Sequence, residues 1–174
     1  AADEELATLR VLLFGAGLLG GDFTAPVAPV FSALDLLAPG SRWWCQSMPW
    51  LLLSCAHQGE HEKLSILAQR LCAVEPRPDA RAAYVSATSW LVAMFSYLGL
   101  RDPARSFLDL TQKVALHLSA SDANVRGLAE HGHAWYLRNL EPEPYQAMLV
   151  ARNAVRAFEV AGNIVDQSAA RLCQ

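Results

Sequence analysis

The stretch "HQGEH" places His57, Glu60 and His61 in the order H-x-x-E-H, the spacing with which inverted zinc peptidases set two imidazoles on one metal. That chemistry needs both ring nitrogens about 2.0 to 2.1 Å from one ion, hence both histidines on one continuous helical face. Gly59 stands between them and reads as a turn, and no third ligand follows, so His61 is expected to pack rather than to bind metal. A second candidate, "GAGLLG", carries Gly15, Gly17 and Gly20 as G-x-G-x-x-G behind an apolar run. A dinucleotide site also requires a strand before the glycines, a helix directly after them and an acid about 20 residues on, at the end of a second strand. Pro26 and Pro29 stand where that helix should begin, and the nearby acid, Asp35, lies in "FSALDLLAP", which reads as helix. These glycines are therefore expected to serve close helix packing, and no cofactor is expected.

The other reactive side chains form no set. His131 and His133, in "EHGH", are two apart and so fall on different sides of a helix. Cys45, Cys55, Cys72 and Cys173 are too far apart for a zinc knuckle or a redox pair and read as inert free thiols of a reducing cytoplasm. No serine lies in a nucleophile elbow. Trp43, Trp44 and Trp50 offer a recognition surface, but their apolar setting favours the core. No catalytic residue and no metal ligand is expected.

The elements that would have to position these residues read as helices. The 174 residues are 53% hydrophobic and 18% charged, with Ala and Leu ahead of Val and Ile, which favours packed helices over sheet. A net charge of -3 without a basic cluster argues against nucleic acid and against an anionic membrane. The longest apolar run, "VLLFGAGLL", falls short of the roughly 18 to 20 residues of a membrane span. A cytoplasmic excerpt of a longer chain is the expectation drawn from the opening "AADEELATLR".

Apolar periodicity and the Gly, Pro and Asp breaks predict helices over residues 4–19, 24–38, 42–57, 60–75, 80–98, 103–118, 122–139 and 144–161, with a partial ninth from 164. The breaks "LLGGDF", "AHQGEH", "YLGLRD" and "RNLEPE" recur. Gly21, Gly59, Gly99 and Pro142 are 38, 40 and 43 residues apart, a period typical of helical-hairpin arrays. Pro49, inside "WWCQSMPWLLLSCAHQ", is expected to kink its helix or delay its start.

Gly21, Asp22, Phe23, Ala33 and Pro39 in one unit, and Gly59, Glu60, His61 and Pro76 in the next, resemble the second half of a tetratricopeptide repeat. Gly99, Ala104 and Leu108 match in the third unit, and Ala147, Ala151 and Ala154 in the fourth. The period is longer than the usual ~34 residues, and Leu64, Ala68 and Leu71 replace the family's small, aromatic and small residues. The resemblance implies an all-α, right-handed superhelix of about four antiparallel hairpins plus a partial ninth helix. Its repeats would span residues 3–39, 42–76, 80–119, 122–161 and 163–174 of a single domain. Long, degenerate repeats of this kind resemble the helical regions of large bacterial signalling proteins of the Ser/Thr kinase or regulatory ATPase type. By family register the concave groove would present Gln46, His57, Ser86, Ser89, Ser96, Tyr97, Tyr136 and Asn139 to a peptide, a partner protein or an adjacent domain of the parent chain. A ligand-sensing helical domain and a nucleotide-binding enzyme using residues 15–20 are the alternatives, and self-association through end faces is a further expectation.

Overall fold

The computed structural model describes residues 2–173. Among these, 77% are helical and none lies in a strand. The helices are α1 (Ala2–Leu19), α2 (Ala28–Leu34), α3 (Arg42–His57), α4 (His61–Cys72), α5 (Arg81–Tyr97), α6 (Arg101–Ala115), α7 (Ala123–Leu140), α8 (Pro144–Ala161) and α9 (Ile164–Arg171), with a 3-10 turn at Pro78–Ala80 before α5. No described helix is long and apolar enough to cross a membrane. The chain divides into two compact units, Ala1–Ala87 and Thr88–Gln174, and the division falls inside α5.

Local chemistry explains most boundaries. Ser41 Oγ accepts the Trp44 N–H at the start of α3, Asp122 accepts those of Asn124 and Val125 at α7, and Asn163 that of Asp166 at α9. Pro144 opens α8 at the first helical position, where its missing N–H deprives no partner. Helix α2 is seven residues long, not the fifteen expected over 24–38. Pro26 and Pro29 delay its start, and Pro39 disfavours helical geometry at Ala38, so the chain leaves α2 through two short-range turns, Leu36 N–H to Ala33 and Leu37 N–H to Leu34. Pro49 neither ends α3 nor delays it.

One turn recurs. Gly21, Gly59, Gly99 and Gly162 all have φ between 70° and 90°, and each follows a helix in the same way. The glycine N–H donates to the carbonyl three residues back, and the next N–H donates to the carbonyl five back: Gly59 to Ala56 with Glu60 to Cys55, and Gly99 to Ser96 with Leu100 to Phe95. This is the Schellman closure, and its left-handed residue is strained in any side chain with a Cβ. The fourth expected break differs. Helix α7 ends at Leu140, Glu141 is extended, and Pro142 takes the chain to α8 without a left-handed residue.

Each unit has its own core. In the first, Ala7, Val11, Phe14 and Leu18 of α1, Met48, Leu51, Leu52 and Cys55 of α3, and Leu64, Leu67 and Leu71 of α4 are buried. Tyr84 lies among them, and its hydroxyl donates to the Leu71 carbonyl. In the second, Phe107 and Leu108 of α6, Val125 and Leu128 of α7, and Ala151, Ala154 and Phe158 of α8 are buried. The alanines of α8 let α7 approach, and Gly127 does so most closely, since a Cβ there would stand 2.7 Å from the Phe158 ring.

Candidate functional site

Gly15 and Gly17 lie inside α1, so the chain at these residues forms no strand-to-helix phosphate loop. Gly15 is instead a point of close approach, where a Cβ would stand 2.5 Å from the indole of Trp50. Gly17 faces open space, and Gly20 is close only to backbone of its own turn. His57 is the last residue of α3 and His61 the first of α4, separated by the left-handed Gly59. His57 donates from Nδ1 to the Leu53 carbonyl and stacks on Phe23 with ring centroids 4.5 Å apart. Among the described residues no three His, Cys, Asp or Glu side chains are placed to hold a metal.

The four cysteines are free thiols, and Cys72 is exposed while the other three are buried. Burial pushes the Cys45 thiol up to about 12 and that of Cys55 up to about 11, which removes the thiolate on which their reactivity would depend. Trp44 is buried, and Trp43 and Trp50 are half-buried.

The eight residues expected to line a groove separate into two groups. Tyr97 is 76% exposed, His57 and Asn139 are exposed, and Gln46 and Ser86 are half-buried. Ser89, Ser96 and Tyr136 are buried and face no solvent. Ser89 is small because α7 comes up against it: its Oγ donates to the Leu128 carbonyl at 2.6 Å, and a Cβ on Gly132 would stand 2.9 Å from that oxygen. Tyr136 is held by its hydroxyl on Glu141 at 2.9 Å, with the Arg105 guanidinium 5.9 Å from its ring centroid. A small or aromatic residue on a first helix thus marks helix contact at these positions, where family register assigns it to the groove.

A cleft lies in each unit. That of the first unit, about 320 Å³, is bounded by Leu34, Leu37, Pro39, Trp44, Ala73 and Val74, and the Asp35–Arg70 ion pair at 2.6 Å adds its charge there. It is apolar, and its only charges neutralise each other. The cleft of the second unit, about 400 Å³, lies between the end of α6 and one face of α7. Ala115, Leu116 and Ala129 supply its apolar wall, and Gln112, Ser119, Arg126, Glu130 and His133 its polar one.

None of those five polar side chains has a hydrogen bond or ion pair with another described residue. Burial pushes the Glu130 carboxyl up, opposed by Arg126 one turn before it. Burial also pushes the His133 imidazole down, with help from the nearby Arg105. Uncommitted donors and acceptors with displaced titration, converging on one concavity, are what a polar ligand site provides. The α7 half of this cleft is an i, i+3, i+4, i+7 set, Arg126, Ala129, Glu130 and His133, which was open to reading from the sequence. The α6 half depends on how the hairpin closes.

No protein-family model matches the chain, and no curated protein or solved structure matches it either.

Proposed function

We propose that the chain is a non-enzymatic interaction module, a tetratricopeptide-like solenoid of helical hairpins within a larger cytoplasmic signalling or regulatory protein. The observation that supports the repeat reading is the sequence offset of its side-chain contacts. In the first unit Gln58 donates to the carbonyls of Phe23 and Ala25, 35 and 33 residues away, and Arg70 pairs with Asp35 over 35. In the second unit Ser89 reaches Leu128 over 39, Arg101 reaches Glu141 over 40, and Asn163 reaches Asn124 over 39. Each offset is about one hairpin period, so residues at equivalent places in successive hairpins meet, as stacked repeats require.

A repeat surface of this kind holds an extended peptide or a neighbouring domain, and the residues left available for contact are Tyr97 and Asn139 in the second unit and Gln46, His57 and Ser86 in the first. Peptides selected from a displayed random library against the immobilised chain should lose at least about tenfold in affinity on Tyr97→Ala, with an unchanged melting temperature. Selection that yields no binder, or binders indifferent to Tyr97→Ala and Asn139→Ala, would refute the groove.

The second reading, a small-ligand sensor, is favoured by the five uncommitted polar side chains of the α6–α7 cleft. Thermal-shift screening with small polar molecules tests it, since a ligand of that cleft should raise the melting temperature and lose its effect in Glu130→Gln.

A further inference from the structure

Helix α1 carries two apolar seams. Ala7, Val11, Phe14 and Leu18, spaced by four, three and four residues, are buried. On the far side Ala2, Leu6, Leu9, Leu13 and Ala16 alternate by four and three in the same way, and all five are exposed, Leu13 by 73% and Leu9 by 57%. Exposed Leu12 and Leu19 widen this bare stripe. An alternation of four and three lets one helix lie along another with the side chains of each seam entering gaps in the other.

We infer that the bare seam of α1 docks a second copy of this chain, α1 against α1 in antiparallel arrangement. The charges beside the seam fit this occupant. Asp3 and Arg10 are seven residues apart on one flank, and neither side chain has an ion pair or hydrogen bond among the described residues. An antiparallel register that sets Leu6 opposite the partner's Leu9, and Ala2 opposite the partner's Leu13, brings Asp3 beside the partner's Arg10, and two-fold symmetry makes that pair twice. A parallel arrangement would crowd Asp3, Glu4 and Glu5 of both copies at one end, whereas the antiparallel one separates them and opposes the helix dipoles. Length favours the same occupant. The eighteen residues of α1 extend about 27 Å, while the other exposed apolar helix, α9 with Ile164 and Val165, has eight residues and extends about 12 Å. Of these two exposed apolar helices among the described residues, α1 alone has the length to cover the whole seam. This inference stands independently of the groove reading.

The seam is short, so the dimer is weak, with a dissociation constant on the order of ten micromolar. Sedimentation equilibrium over about 1 to 300 µM should show the mass rising from 19.0 kDa to twice that value and stopping there. Leu9→Lys and Leu13→Lys should each raise the dissociation constant at least about tenfold without lowering the melting temperature, because both side chains are exposed. Arg10→Asp should weaken the dimer, and Asp3→Arg combined with Arg10→Asp should restore it. In a parallel pair the swapped Asp at position 10 would meet Glu5 and the rescue would fail. A mass of 19.0 kDa throughout overturns the inference and leaves the seam to a different segment or partner. Growth beyond two copies, loss of association on Ile164→Lys in place of Leu9→Lys, or failure of the charge swap overturns it as well.

Discussion

Acid should loosen the second unit through one imidazole. His131 is 1% exposed and sits among Trp90, Trp135 and Phe158, whose rings have centroids 5.8, 6.4 and 6.4 Å from its own. The indole N–H of Trp135 donates to Nε2 at 2.9 Å, so the ring's proton is on Nδ1, which has no hydrogen-bond partner among the described residues. Protonating Nε2 would set two N–H donors against each other inside an apolar cage, and burial accordingly pushes His131 down to about 4 from 6.5. The unfolded chain takes up this proton below about pH 6.5 and the folded chain only near pH 4. Stability is therefore complete above pH 6.5 and is lost as pH falls between those values. At 1.36 kcal/mol per pH unit the loss is about 2 kcal/mol at pH 5 and about 3 kcal/mol at pH 4. His133, also pushed down, acts in the same direction, while Glu130 and Asp166, both pushed up by burial, act in the opposite one. The His131 contribution is isolated by comparison with His131→Gln, whose amide oxygen can still accept from Trp135. Urea unfolding at pH 7, 6 and 5, followed by circular dichroism and by the fluorescence of Trp90 and Trp135, should show the stability difference between the two proteins shifting by about 2 kcal/mol in favour of His131→Gln. A difference that stays constant from pH 7 to pH 5 would refute the buried, neutral imidazole.

Other substitutions separate the roles of the glycines. Gly59→Ala and Gly99→Ala meet no neighbour within 4 Å but retain a left-handed backbone, so each should lower stability by about 1 to 2 kcal/mol in denaturant unfolding. Gly17→Ala, in open space inside α1, should raise stability by about 0.5 to 1 kcal/mol, an outcome contrary to any phosphate loop at that residue. Gly15→Ala should cost about 1 to 3 kcal/mol, and combining it with Trp50→Leu in a double-mutant cycle should recover a large part of that loss. Asn163→Ala removes both the α9 cap and the 2.7 Å bond to Asn124, and a loss of about 1 to 2 kcal/mol confined to the second unit's transition is expected.

Eight of the nine helices are legible to within three residues at every end the sequence assigns, because glycine and proline act locally and mark chain direction wherever they stand. The exception, α2, shows the same rule applied three times over, with Pro26, Pro29 and Pro39 each removing helix from a segment that apolar periodicity alone extends over 24–38. Contacts between hairpins were less legible. Gly15 against Trp50 and Gly132 against Ser89 join residues 35 and 43 apart, and nothing in the local stretch says which side of a helix its neighbour will cover. Register places Ser89, Ser96 and Tyr136 in a groove, yet it identifies the helix face without saying how near the next helix comes, and all three are buried. Free thiols follow from spacing alone, and Cys45, Cys55, Cys72 and Cys173 are free.

The distribution of polar side chains then separates structural from binding surface. Gln58, Arg70, Ser89, Arg101 and Asn163 each satisfy a partner about one hairpin away, and the groups they hold are carbonyls, acids and an amide of the adjacent hairpin. Arg138 does the same with the Leu172 carbonyl at the second unit's last helix. Such residues set hairpin spacing, and replacing them should alter stability in preference to recognition. By contrast Arg126, Glu130 and His133 face a cleft with no side-chain hydrogen bond among the described residues, Tyr97 projects from the end of α5 with 76% of its surface in solvent, and Asp3 and Arg10 flank a bare leucine seam. Desolvating a carboxyl such as Glu130 is unfavourable to folding, and Arg126 one turn before it offsets that penalty only in part, which is the cost the small-ligand reading would have to repay. Alanine scanning read on two axes, melting temperature and partner or ligand affinity, should therefore divide these side chains cleanly. Hairpin-spanning residues should move the first axis and the uncommitted ones the second, and a result in which Glu130→Gln or Tyr97→Ala lowers the melting temperature as much as Asn163→Ala would show that this division is mistaken.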